Sequence, residues 1–314
     1  MLILDSSQTT TVLPFDRLVD AIDAMFVNGC TVPLRHSHSI EGAAADLPGT
    51  LLLMPAWQKG GRLGIKTVSV FPSNTGRSLP GLHSTFILLD AKTGVPLSML
   101  DGDAITSRRT AAASALAARF LSRPESTDLL VVGAGRVGSL IPDAYAAVRP
   151  IKTVAVWDID TGRADALVTN LNTRGFSAER VRDLERAVAN ADIVSCATLS
   201  TQPLIHGAWL RPGTHLDLIG GFTPAMRESD DVCFAGTSVF VDTDEALMKA
   251  GDLLSPMQSG VFDRASVRAT LTQLCRGEHR GRQAHDEITV FKAVGTALED
   301  LAAASLAYDA YVGP

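Results

Sequence analysis

Long apolar runs are missing from this chain. Stretches such as residues 86–89 and 129–132 fall far short of the ~20 residues that cross a bilayer, so no membrane partner is expected. The opening MLILDSSQTT has neither a basic start nor an apolar stretch of signal-peptide length, which points to a cytoplasmic protein. Positive charge is also short, with 28 Lys plus Arg against 34 Asp plus Glu and a net charge of −6. Such a chain lacks the basic field that phosphate backbones require, and no nucleic-acid partner is expected. Cysteine is sparse: Cys30, Cys196, Cys233 and Cys275 are scattered, with no CxxC pair. That pattern argues for reduced thiols and against a disulfide framework or structural zinc. His36 and His38 flank Ser37 with no third ligand nearby, so no metal site is assigned. What is present is 314 residues, 46% hydrophobic and 20% charged, enough for two domains with sizeable cores.

Residues 13–26 (LPFDRLVDAIDAMF) space apolar side chains helically, with Asp16, Asp20 and Asp23 on the other face. Short runs at 31–34, 50–54, 64–71 and 84–90 then read as strands between Gly and Pro clusters. LLDAKTGVPLSML reads as an antiparallel hairpin turning at Lys92, Thr93 and Gly94. An alanine-rich helix follows at 107–121. From Asp128 the texture changes. The strands DLLVV, TVAVWDID, DIVSCAT, THLDLIG and SVFVD alternate with helical stretches such as TGRADALVTNL and RDLERAVAN, the signature of a parallel doubly wound sheet. The C-terminal ITVFKAVGTALEDLAAASLAYDAYV reads as a short strand and one long amphipathic helix. The fold class is therefore α/β. A Rossmann-type NAD(P)-binding domain is expected over 119–285. An α+β substrate-binding and dimerisation domain spans 1–118, completed by a C-terminal helical segment, 286–314.

Gly133, Gly135 and Gly138 form GxGxxG directly after the strand LLVV, enclosing Arg136 and Val137. The first glycine permits the tight turn and the second lets backbone approach a pyrophosphate. The third lets helix pack on strand, and the helix N-terminus faces the phosphates. Asp158 closes the next strand, where it would accept bonds from the ribose hydroxyls of adenosine and repel a 2′-phosphate. NADH is accordingly the expected cofactor, with Arg163 close enough to keep NADPH possible. Pro142 falls in the first turns of the expected helix and should kink or tighten it.

The stretch DGDAITSRRTAAASALAARFLSR, with GIKTVSVFPSN, HLDLIGGFTPAMRESDD and EITVFKAVGTALEDLAAA, resembles the ornithine cyclodeaminase/μ-crystallin family over nearly the whole chain. The resemblance implies NAD(P)-dependent chemistry on α-amino or α-imino acids and a homodimer. It puts the substrate-carboxylate ligands at Arg35, Lys66 and Arg109, Lys66 and Arg109 being the catalytic pair, and contacts to the cofactor at Thr198, Gly220 and Gly221. Physical chemistry agrees, since a carboxylate needs permanent cations and an arginine fork fixes its plane. Lys66, among apolar or small neighbours, could also donate a proton if burial beside arginines lowered its pKa. Each has a bland alternative: an exposed strand arginine, a snorkelling lysine, a helix-start ion pair.

In the family's cyclodeaminases two glycines precede an aspartate that acts on amine or water. Here Phe222 follows Gly220 and Gly221, and a phenyl ring cannot serve as a base. A local shift could bring Asp217 or Glu228 into its place. The expected function is therefore NAD(P)H-dependent reduction of a small cyclic α-imino acid, Δ1-pyrroline-2-carboxylate or Δ1-piperideine-2-carboxylate, with Phe222 lining the pocket. Ornithine cyclodeaminase, or an alanine- or opine-type dehydrogenase, is the alternative. A cofactor-dependent binding or structural protein fits less well, because it has no need of three cations.

Overall fold

A computed structural model describes residues 1–42 and 47–313. The chain divides into two units, one of Met1–Arg109 plus the chain from Thr296 on, the other Thr110–Gly295.

The first unit opens with β1 (Leu2–Leu4), α1 (Ser6–Thr11) and α2 (Phe15–Asn28). There follow β2 (His36–Ile40), β3 (Gly49–Trp57), β4 (Arg62–Val70), β5 (Leu82–Asp90), β6 (Pro96–Asp101) and the start of α3 (Gly102–Leu121). The strands form one sheet in the order β1-β6-β5-β4-β3-β2, antiparallel except where β1 joins β6. The β5–β6 turn is closed by Asp90, whose carboxylate accepts from the Lys92 and Thr93 amides at 2.8 Å each. The run at 31–34 forms no strand. Pro33 has no N–H to give a ladder, Thr31 makes an isolated bridge to Trp57, and pairing with β3 starts at His36. Helix α2 buries Leu18, Val19, Ile22, Met25 and Phe26 on one face, where truncation of a large side chain typically costs ~2–5 kcal/mol.

The second unit contains β7 (Asp128–Val132), α4 (Ile141–Ala146), β8 (Thr153–Trp157), α5 (Thr161–Thr173), β9 (Ser177–Arg180), α6 (Leu184–Asn190) and β10 (Ile193–Cys196). It continues with β11 (His215–Leu218), β12 (Ser238–Val241), α7 (Ala246–Lys249), α8 (Gly251–Gln258), β13 (Val267–Thr270), α9 (Leu271–Cys275) and β14 (Thr289–Lys292). All eight strands are parallel, in the order β13-β12-β14-β11-β10-β7-β8-β9. Central strands are apolar because both faces are covered: Leu130, Val132, Val194, Leu216, Leu218 and Val290 all lie in one buried cluster. The run β9-β8-β7-β10-β11 is the doubly wound order with its switch point between β7 and β10, where ligands bind at the carboxyl ends of the strands. Two divisions differ from the sequence reading. Residue 118 lies inside α3, and β14, grouped there with the C-terminal helix, pairs with β11 and β12.

Helix α10 (Ala297–Val312) returns to the first unit and packs on α2, β3 and β4. Residues 297–304 are all buried, so its first two turns are not amphipathic. With sheet on one side and helix on the other, no face there meets water.

Candidate active site

Along β4, Gly64, Lys66 and Val68 point to the buried face, the strand's period of two placing the lysine among them. Lys66 is 2% exposed. Its Nζ lies 2.7 Å from Asp300 Oδ2 of α10 and donates to Thr106 Oγ1 at 3.2 Å. From α3, Arg109 sends Nε to the other oxygen of Asp300 at 2.8 Å and a terminal nitrogen to Glu299 at 2.6 Å. Burial pushes the Lys66 ammonium below the ordinary lysine range, Asp300 pulls it back up, and Arg109 lowers it again. Burial favours the neutral acid at Asp300 too, but Lys66 and Arg109 together outweigh it and hold the carboxyl below its usual value. Arg109 is held fully charged by its two carboxylates, which outweigh its burial.

The first unit thus contains a buried fork held by Glu299 and Asp300 and a buried, titratable ammonium held by Asp300 and Thr106. Such a pair can fix the plane of a small carboxylate and exchange one proton. Arg35 stands just ahead of β2, half-buried, with β3 between its strand and that of Lys66. His36 and His38 lie exposed on β2.

In the second unit the glycine loop has the geometry its spacing demands. Gly133 has φ 100°, and a Cβ there would sit 2.8 Å from the Ala197 carbonyl oxygen. A Cβ at Gly138 would fall 1.8 Å from the Gly133 oxygen. Gly135 differs, because its Cβ would meet no protein atom within 4 Å. The space in front of it is what a pyrophosphate cradle needs. After the loop, with Arg136 exposed and Val137 half-buried, the chain tightens into one 3-10 turn, Gly138–Leu140. Pro142 is accommodated in the first turn of α4, where its missing N–H removes no helical bond. At the end of β8, Asp158 accepts from the Ala134 amide at 2.6 Å and the Asp160 amide at 2.8 Å, tying the loop to the next turn. These residues fit a dinucleotide.

Thr198 and Gly220 follow β10 and β11 and are joined by Glu228. One Glu228 oxygen accepts from the Thr198 amide and hydroxyl at 2.7 and 2.9 Å, and the other accepts from the Gly220 amide at 2.6 Å. Asp217 accepts from Ser114, Tyr145 and Ser195 at 3.1, 2.8 and 2.6 Å. Both carboxylates are wholly buried and engaged through both oxygens. Neither is available to replace the aspartate missing at Phe222. Gly221 is buried, and Phe222 is 46% exposed.

Glu299 and Asp300 were not singled out in the sequence. Their signal was two adjacent acids in ALEDLAAASLA, an otherwise apolar helix that could bury them only against cations.

Glycine loop, switch point and Asp158 define a Rossmann-type nucleotide domain, and the other unit is an α+β domain bearing a buried cation pair. The chain belongs to the ornithine cyclodeaminase/mu-crystallin family, whose model matches residues 2–313. A Δ1-pyrroline-2-carboxylate reductase of Paracoccus denitrificans is 43% identical over 259 residues, 82% of each chain. Among solved structures, that of Thermococcus litoralis Δ1-pyrroline-2-carboxylate reductase in complex with NADH and L-proline has a TM-score of 0.91 at 32% identity, covering 99% of this chain and 98% of that one. An archaeal alanine dehydrogenase dimer with bound NAD has a TM-score of 0.89 at 28% identity, covering 99% and 96%.

Proposed function

We propose that the protein is an NADH-dependent reductase of cyclic α-imino acids, turning Δ1-pyrroline-2-carboxylate into proline and Δ1-piperideine-2-carboxylate into pipecolate. The observation that carries the reading is Phe222. Where a cyclodeaminase needs a carboxylate, this chain has an apolar ring, and its neighbours Asp217 and Glu228 are fully engaged elsewhere. Lys66 and Arg109 bind the substrate carboxylate, with Arg35 as a further ligand. Phe222 lines the pocket against the apolar edge of the ring. Bound NADH supplies the hydride that the imine carbon takes up, while a proton ends on nitrogen. Of the two buried cations, Lys66 is the one able to exchange that proton, because arginine stays charged. The names of the Paracoccus and Thermococcus proteins support the substrate, and Asp158 supports NADH over NADPH.

The active form is a homodimer in this reading. β2 is an edge strand exposed at every residue, Ile40 included, with exposed Leu34 just ahead of it, and pairing across a two-fold axis would cover that edge. Cys30, Cys196 and Cys233, none of them in a disulfide, fit a reducing cytoplasm. No helix among the described residues is long and apolar enough to cross a membrane. The test is NADH oxidation with each cyclic imine, beside pyruvate plus ammonia or amines and beside ornithine with NAD+. Imine-dependent oxidation with negligible ammonia release from ornithine is expected. Robust conversion of ornithine to proline and ammonia would overturn the proposal.

A further inference from the structure

Three donors converge on one buried side chain in the second unit. The amides of Thr198 and Gly220 and the Thr198 hydroxyl all end on Glu228, which is 0% exposed. Thr198 follows β10 and Gly220 follows β11, the two strands on the far side of the switch point from the glycine loop. A dinucleotide laid across that point puts its adenosine half over β7 and β8, where Asp158 stands, and its other half over β10 and β11. We infer that Glu228 is a positioning residue for the nicotinamide half of the crevice, setting the spacing of the β10 and β11 ends without touching the cofactor. The inference rests on the dinucleotide reading above.

The chemistry of the three donors explains why a carboxylate is needed. An ionised carboxylate only accepts, through two oxygens with about four lone-pair sites, so it can take all three bonds. A carboxamide would turn an N–H toward another N–H on one side and leave a buried donor without a partner. The side chain is also braced from behind. The Glu228 carbonyl accepts from the Leu204 and Ile205 amides at 2.8 and 3.0 Å. Its own amide donates to Asp252 at 2.8 Å, and the far oxygen of Asp252 lies 3.1 Å from the Lys292 ammonium at the end of β14. The approach is close enough to exclude larger residues. A Cβ on Gly220 would lie 1.9 Å from the Thr198 carbonyl oxygen and 2.5 Å from Glu228.

The test compares two ligands on the full-length protein, NADH and ADP-ribose, the latter lacking nicotinamide. Glu228→Gln should raise the Kd for NADH at least tenfold and leave that for ADP-ribose within about twofold. A purely structural role would move both together. Equal losses for both ligands, or an NADH Kd unchanged within twofold, would overturn the inference. If Glu228→Gln does not fold, Glu228→Asp, which keeps the charge but cannot reach both strands, carries the same expectation. Loss of the fold in both variants would decide against positioning and for a structural role. Unmutated protein that binds neither ligand would instead overturn the dinucleotide reading itself.

Discussion

Lys66 and Asp300 face each other at 2.7 Å in a site where both are essentially inaccessible to water. Asp300 is the group that keeps the lysine protonated against its own burial. Lys66 should therefore lose its proton below the ordinary lysine value of 10.5, and kcat/KM should fall along an alkaline limb centred below that pH. Asp300→Asn, by removing the opposing charge, should shift the limb to still lower pH. Lys66→Arg should abolish it. An alkaline limb that Lys66→Arg leaves in place belongs to some other group. Breaking a buried pair from one side also costs about 3–5 kcal/mol, so Asp300→Asn should lower the melting temperature as well.

Arg109 holds two carboxylates and in the proposed role turns a fork to the substrate's, so Arg109→Lys keeps the charge but loses the fork. The expected outcome is a KM for Δ1-pyrroline-2-carboxylate raised roughly 10- to 100-fold, as for loss of one hydrogen bond to a charged group. NADH affinity, measured by fluorescence titration, should stay within a factor of about two. Catalytic efficiency unchanged within a few-fold would remove Arg109 from the substrate site.

Asp158 bonds the glycine loop through the Ala134 amide, and in the proposed role its charge opposes a 2′-phosphate. Asp158→Ser should narrow the preference for NADH over NADPH by about tenfold or more, through loss of charge repulsion. The readout is the ratio of the two dissociation constants. Equal constants in the unmutated protein would contradict the repulsion argument at the outset.

Burial pushes the Asp217 carboxyl up from 3.8 to about 6, against the hydrogen bonds of Ser195, Tyr145 and Ser114. The folded state therefore binds more protons than the unfolded state between about pH 4 and 6, and this group lowers stability as pH rises through that window. His215, in the same strand and held neutral by burial with a pKa of about 3, acts in the opposite sense between about 3 and 6.5. Asp217→Asn isolates the first effect, since the neighbouring hydroxyls can turn to serve an amide. Relative to wild type, the variant should gain about 2 kcal/mol on going from pH 4 to pH 7. Urea unfolding at the two pH values checks this, and parallel shifts in both proteins would refute it.

What could be read from sequence was whatever its local pattern specified. The glycine loop and Asp158 lie within one βαβ span, so spacing alone located them. Lys66 stood out because a strand of apolar and small residues had no solvated face to offer it. Glu299 and Asp300 escaped notice because the arginine that explains them is 191 residues from Asp300 in the chain. Strands β9 and β13 escaped because SAER and VRAT sit at the sheet edges and need no apolar run. Glu228 was considered only as a substitute base, since nothing in RESDD shows that its oxygens are occupied by Thr198 and Gly220.

The place of β14 also bears on how the protein is made. Of the described strands it is the last to leave the ribosome, yet it lies inside the sheet between β11 and β12. Until Lys292 has been synthesised, those two strands face each other across a gap as open edges. Closing it joins His215 to Thr289, 74 residues apart, a distant pairing of the kind that slows folding. The sheet of the nucleotide half thus cannot be complete until residue 292 is made, although its glycine loop is translated early. A truncation before residue 289 would remove the middle of its sheet, not merely a tail.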